Sequence, residues 1–273
     1  MNGLKITFLG SGSAFYNDVD NFQSNLLLEC QGRSLLLDCG TDIRFSMREA
    51  GKKLTDVTDV YISHAHADHI GGLECLGFIK KFTPNSAKPN LYASSLIVKD
   101  LWDRSLAGGM ESMQGELADL STFFEVHRIR PNSSFVWCGI EFKIVQTIHI
   151  MNGFMFVPSF GLMFTVQETF DNGSEIVSRP CTIFFTSDSQ HAPNQIMDFY
   201  KMADVIFQDC ETTPWKSGVH AHYTDLVTLP DEVKRKMWLY HFNQGPLPAA
   251  HEEGFKGFVP CRKEFSFSVP DTK

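Results

Sequence analysis

The sequence predicts a mixed α/β fold with helices outside packed sheets. Short β-type runs, most of them bounded by Gly, Asn or Asp, recur from the first residues, and helix-like segments alternate with them. No Ser/Gly/Pro linker, low-complexity tract or short-period repeat divides the chain, so we read residues 1–273 as a single domain. A length of 273 residues allows one large domain or two small ones, and 43% hydrophobic content is ample for a buried core.

In order, strands are expected at 4–9, 25–29, 34–38 and 57–62, followed by strands at 124–127, 135–148, 161–167, 181–186, 205–208 and 237–240. Helices are expected at 42–50, 70–80, 94–106 and 193–202. Between 167 and 179, Asp171-Asn172-Gly173 separates two extended runs and predicts a hairpin turn. The two halves share an outline in which a His or Asp stands where a strand runs out.

Charge narrows the function classes. With 24 Lys+Arg against 32 Asp+Glu, the formal charge is −8, which excludes coating of extended nucleic acid by clustered cations but leaves room for a small anion held by a local positive centre. The seven cysteines are scattered, odd in number and without a CxxC pair, which reads as buried thiols in a reducing compartment. The opening MNGLKITFLGSGSAF has the pattern of neither a signal peptide nor a spanning helix, and the expected location is the cytoplasm, with no membrane partner.

Ser63-His64-Ala65-His66-Ala67-Asp68-His69 follows the apolar run Val60-Tyr61-Ile62. Side chains at i and i+2 leaving a strand point the same way, so His64 and His66 can share one cation. Asp68 and His69, in the turn opening the next helix, can reach a second. Three imidazoles and a carboxylate suit zinc, with iron or manganese as alternatives. The remaining ligands must come from elsewhere, and His149, Asp188 and His241 each follow an apolar strand.

These motifs resemble the metallo-β-lactamase-fold hydrolases, and within them the tRNase Z-like phosphodiesterase branch. The resemblance rests on Gly10-Ser11-Gly12-Ser13-Ala14 after the first strand, Leu36-Leu37-Asp38-Cys39-Gly40, the HxHxDH motif, and the later His, Asp and His in order. It implies an αββα sandwich, two mixed β-sheets flanked by helices. It also implies two divalent metal ions per chain: His64, His66 and His149 on one, Asp68, His69 and His241 on the second, Asp188 bridging. A bridging hydroxide would then attack a phosphodiester. Asp68 stands among the catalytic residues as well as the ligands, and Asp38 would orient a ligand imidazole.

The departing alkoxide needs a proton. Cys210-Glu211-Thr212-Thr213 followed by His220-Ala221-His222 resembles the branch's His-Glu-Ala-Thr element and its partner histidine. Glu211 would orient a histidine, and either His220 or His222 would donate. Cys210 stands where the motif has its own His.

Members that process tRNA carry a long Gly/Pro-rich arm between the third motif His and the bridging Asp. Here the stretch from His149 to Asp188 reads as strands and a hairpin, leaving no room for it. The closer resemblance is to armless cyclic-nucleotide phosphodiesterases of the anti-Pycsar type, through GSGSAF, Asn21-Phe22-Gln23-Ser24-Asn25 and the compact tail. It implies a small phosphodiester substrate, a cyclic nucleotide first, and a homodimer. Phe15, Phe22, Trp215 and Tyr223 are aromatics near the motifs that could stack a base. The alternatives are a tRNase Z-type endoribonuclease and a mononuclear-iron persulfide dioxygenase, which shares HxHxDH.

Overall fold

The computed structural model describes residues 3–171 and 175–269. The strands are β1 (Gly3–Phe8), β2 (Leu26–Cys30), β3 (Arg33–Leu37), β4 (Asp59–Ile62), β5 (Asn90–Ser94), β6 (Ser112–Met113), β7 (Glu116–Leu117) and β8 (Glu125–Ile129). They continue with β9 (Ser134–Trp137), β10 (Ile140–Met151), β11 (Phe156–Asp171), β12 (Ile176–Phe185), β13 (Val205–Asp209), β14 (Met237–Tyr240), β15 (Gly257–Phe258) and β16 (Glu264–Ser268). Two antiparallel blocks, β1–β2–β3 and β10–β11–β12, each run into a parallel block, β3–β4–β5–β8 and β12–β13–β14–β15.

These two blocks correspond to the two mixed sheets of the expected sandwich, and hydrogen bonding joins them edge to edge into one 14-stranded order among the described residues. The joint is β16, a strand absent from the sequence reading. It pairs with β1 from Gly3 to Thr7 and meets β11 at the pair Gln167↔Ser268. The backbone groups of β1 and β11 that would otherwise be free edges are thereby partly satisfied. The predicted turn at Asn172-Gly173 lies outside the described residues, while its flanking strands pair from Leu162↔Phe185 onward.

Helices α1 (Ile43–Glu49), α2 (Ala67–Ile70), α3 (Leu73–Phe82) and α7 (Pro193–Met202) fall on the expected segments. The segment expected at 70–80 begins three residues earlier and breaks at Gly71-Gly72. Between them lie α4 (Val98–Leu101), α5 (Ala107–Met110) and α6 (Leu120–Phe123); α8 (Tyr223–Leu226) and α9 (Asp231–Lys234) follow α7. The helix predicted at 94–106 starts later and passes through a π-turn, 102–106, into α5. The core gathers Phe8, Leu28, Leu36, Val60, Phe142, Phe160, Ile183 and Phe207, all fully buried, so the strand ends around them are held against a close-packed support. No described helix is long and apolar enough to cross a membrane.

Candidate metal centre

The polar residues of interest sit where parallel strands finish. Asp38 follows β3, Ser63 and His64 follow β4, Asp188 lies just beyond β12, Asp209 ends β13 and His241 follows β14. Ligand sites on open α/β sheets favour this position. Three of the turns carry non-glycine residues with left-handed backbone: Asp38 (φ 64°), Ser187 (φ 54°) and His241 (φ 61°). Such conformations cost energy and concentrate where side chains must be aimed. His149 lies inside β10 at a register shift between Ile148 and Ile150, and the bulge turns its ring toward the same point.

The structure brings together His64, His66, His149 and Asp188, and next to them Asp68, His69, Asp188 and His241, with the candidate ligand atoms of each group within 4.8 Å of one another. Asp188 Oδ2 is the common atom. It lies 3.3 Å from His69 Nε2, 3.6 Å from His64 Nε2 and from His241 Nε2, and 3.9 Å from His149 Nε2.

Hydrogen bonds outside the pocket set the ring orientations. Ser63 donates both N–H and Oγ–H to Asp38, 2.8 Å each, and His69 Nδ1–H donates to the same carboxylate at 2.8 Å. With its proton committed there, Ser63 Oγ accepts from His64 Nδ1–H at 3.1 Å. His149 Nδ1–H donates to the Val219 carbonyl at 2.9 Å. In the His64 and His149 rings the inward Nε2 is thereby left as a lone pair, the form that binds a cation.

The only ring nitrogen offered to these two lone pairs among the described residues is shared between them. His66 Nδ1 stands 3.1 Å from both His64 Nε2 and His149 Nε2, and one proton cannot satisfy both contacts. Four-coordinate bonds of about 2.0–2.1 Å would set neighbouring donors about 3.3 Å apart, close to this spacing. His69 Nε2 and Asp188 Oδ1 are buried without any hydrogen bond. The donor set therefore fits divalent cations.

Electrostatics agrees. Burial depresses the His64 pKa well below the usual range, reinforced by the neighbouring His69, so its ring stays neutral. Burial works against charge on His69 and His241 too, yet the surrounding carboxylates together, Asp188 and Asp68 with Asp38 at His69 and with Asp209 at His241, outweigh it and hold both well above the ordinary value. Burial likewise opposes ionisation of Asp188, but the imidazoles of His241 and His69 keep its carboxyl well below the carboxylate range. The pocket calls for positive charge, and among the described residues no Lys or Arg pairs with Asp68, Asp188 or Asp209.

Two sequence assignments need correction. Glu211 does not meet a histidine ring; its carboxylate accepts the Ser217 N–H at 2.9 Å, closing its own loop. His222 has both ring nitrogens committed: Nε2–H donates to the Thr213 carbonyl at 2.8 Å, while Nδ1 caps α8 by accepting from Thr224. Neither residue is placed for proton transfer. The carboxylate at a histidine is Asp209, which the sequence reading missed: its Oδ2 accepts from His220 Nδ1–H at 2.8 Å and from Ser189 N–H at 2.8 Å. Burial opposes protonation of His220, but Asp209 raises its pKa. The signal was present as an acidic residue closing a buried apolar strand, two positions before the glutamate chosen instead.

A cavity of about 240 Å³ opens beside His220 and His241, lined also by Phe15, Trp215 and Val219. Two roomier clefts, of about 670 and 530 Å³, contain none of the clustered residues. Phe22 and Tyr223 do not line the 240 Å³ cavity; Tyr223 packs on Phe255 and Phe258.

Residues 4–265 match the family described as Anti-Pycsar protein Apyc1. The chain is 32% identical over 244 residues to the Anti-Pycsar protein Apyc1 of Paenibacillus harenae, covering 88% of this chain and 90% of that one. It is 28% identical over 275 residues to its namesake from Paenibacillus xerothermodurans, covering 97% and 98%. In three dimensions it resembles the metallo-β-lactamase fold protein YhfI from Bacillus subtilis, with a TM-score of 0.70, 17% identity, and 97% and 100% of the two chains covered. That likeness shows the fold.

Proposed function

The chain belongs to the Anti-Pycsar Apyc1 family, and from that premise we propose that it is a metal-dependent phosphodiesterase hydrolysing cyclic nucleotides or similar small phosphodiesters. The observation that carries this reading is the pair of donor groups meeting at Asp188, with a cavity of small-molecule size beside them.

His64, His66 and His149 would hold one divalent cation and Asp68, His69 and His241 a second, with Asp188 between them. The nitrogen-rich set favours zinc, with manganese or iron as alternatives. When bound, such a pair lowers the pKa of a coordinated water and offsets charge on a phosphodiester in an in-line displacement. His220 holds a proton on the ring nitrogen opposite Asp209, and Asp209 keeps that ring charged and oriented, so it can protonate the departing alkoxide. Asp38 fixes His69, and Ser63 relays the same carboxylate to His64.

The strands β10, β11 and β12 fill the interval between His149 and Asp188, as the armless reading expects, and this supports a small diester over precursor tRNA. A single catalytic domain, a cytoplasmic location and a homodimer complete the reading. The test is a substrate panel on metal-analysed protein: 3′,5′-cyclic nucleotides, a chromogenic phosphodiester, precursor tRNA and glutathione persulfide. Turnover of cyclic nucleotides with about two cations per chain is expected. Cleavage of precursor tRNA alone, or one iron with oxygen consumption, would overturn it.

A further inference from the structure

We propose that Phe15 and Trp215 form a two-walled stacking subsite for the base of the substrate, and that Glu211, His222 and Asn243 are positioning residues that hold the two walls in place. This rests on the cyclic-nucleotide reading and assigns the part of the substrate that never meets the cations.

Both aromatics line the cavity beside His220, and both are largely bare, Phe15 at 90% exposure and Trp215 at 68%. Single exposed apolar residues are ordinary on a protein surface. Two large aromatics on the rim of one small cavity, next to a cluster of buried imidazoles, suit a ligand with a flat apolar part and an anionic part. A nucleoside cyclic phosphate has both. Stacking on an aromatic face is the usual way proteins grip an unpaired base.

The backbone beneath each aromatic is pinned while the ring itself is left free. On the Phe15 side, Tyr16 N–H donates to the Ser13 carbonyl at 3.0 Å, Ser13 N–H donates to the Phe242 carbonyl at 2.9 Å, and the Tyr16 ring packs edge-on to Phe242. On the Trp215 side, the Thr213 hydroxyl donates to the Trp215 carbonyl, Ser217 N–H donates to Glu211, and His222 donates to the Thr213 carbonyl. Asn243 joins the two loops: its Nδ2 donates to Ser13 Oγ at 3.3 Å and its Oδ1 accepts from Thr212 N–H at 2.9 Å. The segment Phe242-Asn243, just beyond His241, thus ties both loops, by the Phe242 carbonyl to Ser13 and by Asn243 to Ser13 and Thr212. Glu211 and His222 here find a use that proton transfer denied them.

Several polar side chains around the cavity are engaged with each other or with backbone. Ser13 and Asn243 bond mutually, Ser217 Oγ accepts from Val219 N–H, and Glu211 is taken by Ser217. The large exposed surfaces lining the cavity are the Phe15 and Trp215 rings, and in the proposal they hold the base by its faces.

The test is kinetic and spectroscopic, on full-length metal-loaded enzyme. Phe15→Ala and Trp215→Ala should each raise KM for a 3′,5′-cyclic nucleotide about tenfold or more, from the ordinary worth of one stacked base, with kcat within about twofold. The KM of a base-free 3′,5′-cyclic ribose phosphate should not move. A hydrolysis-resistant phosphorothioate cyclic nucleotide should quench tryptophan fluorescence in the wild type and not in Trp215→Phe. Unchanged KM in both alanine variants, or quenching that survives Trp215→Phe, would overturn the subsite while leaving the phosphodiesterase intact. Failure of the wild-type enzyme to turn over any cyclic nucleotide would instead overturn the reading beneath it.

Discussion

Asp209 and His220 meet at 2.8 Å through Oδ2 and Nδ1, and the other oxygen of the same carboxylate lies 3.4 Å from Nδ1 of His241. One buried acid therefore stands behind both the proposed proton donor and a proposed metal ligand. His220→Ala should keep its metal and lose kcat on a cyclic nucleotide by about 10²–10⁴, the usual worth of general acid catalysis. With p-nitrophenolate as leaving group, which departs without a proton, the loss should be far smaller. Equal losses on both substrates would rule out proton donation by His220. Asp209→Asn should show the same leaving-group pattern together with weakened metal retention, read by elemental analysis after dialysis.

His222 and Glu211 should behave differently from His220. His222→Ala removes the cap of α8 and should cost about 0.5–2 kcal/mol in urea unfolding while kcat holds within a few fold. Glu211→Ala frees the Ser217 N–H and should raise KM and leave kcat. A collapse of kcat in either variant would restore the assignment made from sequence.

Asp188 touches five imidazoles at 3.3–3.9 Å, four of them on proposed ligands, so Asp188→Ala should empty both donor groups, whereas His149→Ala should empty one. Metal content per chain reads the difference. At free metal about a hundredfold above Kd, chelation should lower Tm by about 5–10 °C in the wild type and hardly at all in Asp188→Ala. A chelator-sensitive Tm in that variant would place the stabilising ion elsewhere.

Gly40 lies so close to the HxHxDH turn that a Cβ there would stand 2.2 Å from the Asp68 carbonyl oxygen. That oxygen is backbone and cannot step aside without moving Asp68 and His69. Gly40→Ala should destabilise the protein by about 1–3 kcal/mol or more and weaken metal binding in the same variant. Unchanged stability would mean the turn is softer than its packing indicates.

Glu29 couples stability to acid pH. Burial pushes its carboxyl up, but Lys52 and Lys5 outweigh that and hold it below its ordinary 4.5. Because the folded pKa is the lower one, the stabilisation is complete above about 4.5 and disappears as pH falls through the folded value. For a partly exposed pair the amount is modest, about 0.5–1 kcal/mol. Urea midpoints of wild type and Glu29→Gln should differ at pH 7 and draw together as the pH falls below 4.5; a constant gap would contradict the linkage.

The parts of this molecule that were legible in its sequence are the ones written locally. HxHxDH packs four polar groups into one strand end, and α7 announces itself by a helical pattern from 193 to 202. Asp209 escaped because its partner His220 lies in another loop, and a resemblance to a four-residue motif drew the assignment to Glu211. β16 alternates strictly, Glu-Phe-Ser-Phe-Ser, but its pairing with β1 spans nearly the whole chain and leaves no local mark. The bulge that aims His149 has no sequence mark that we recognise.

The ligand groups run from His64 to His241, and β14, which delivers His241, is held between β13 and β15. During synthesis the first donor group is complete once Asp188 has emerged, whereas the second waits for His241, so the two halves of the centre are finished at different points of the chain.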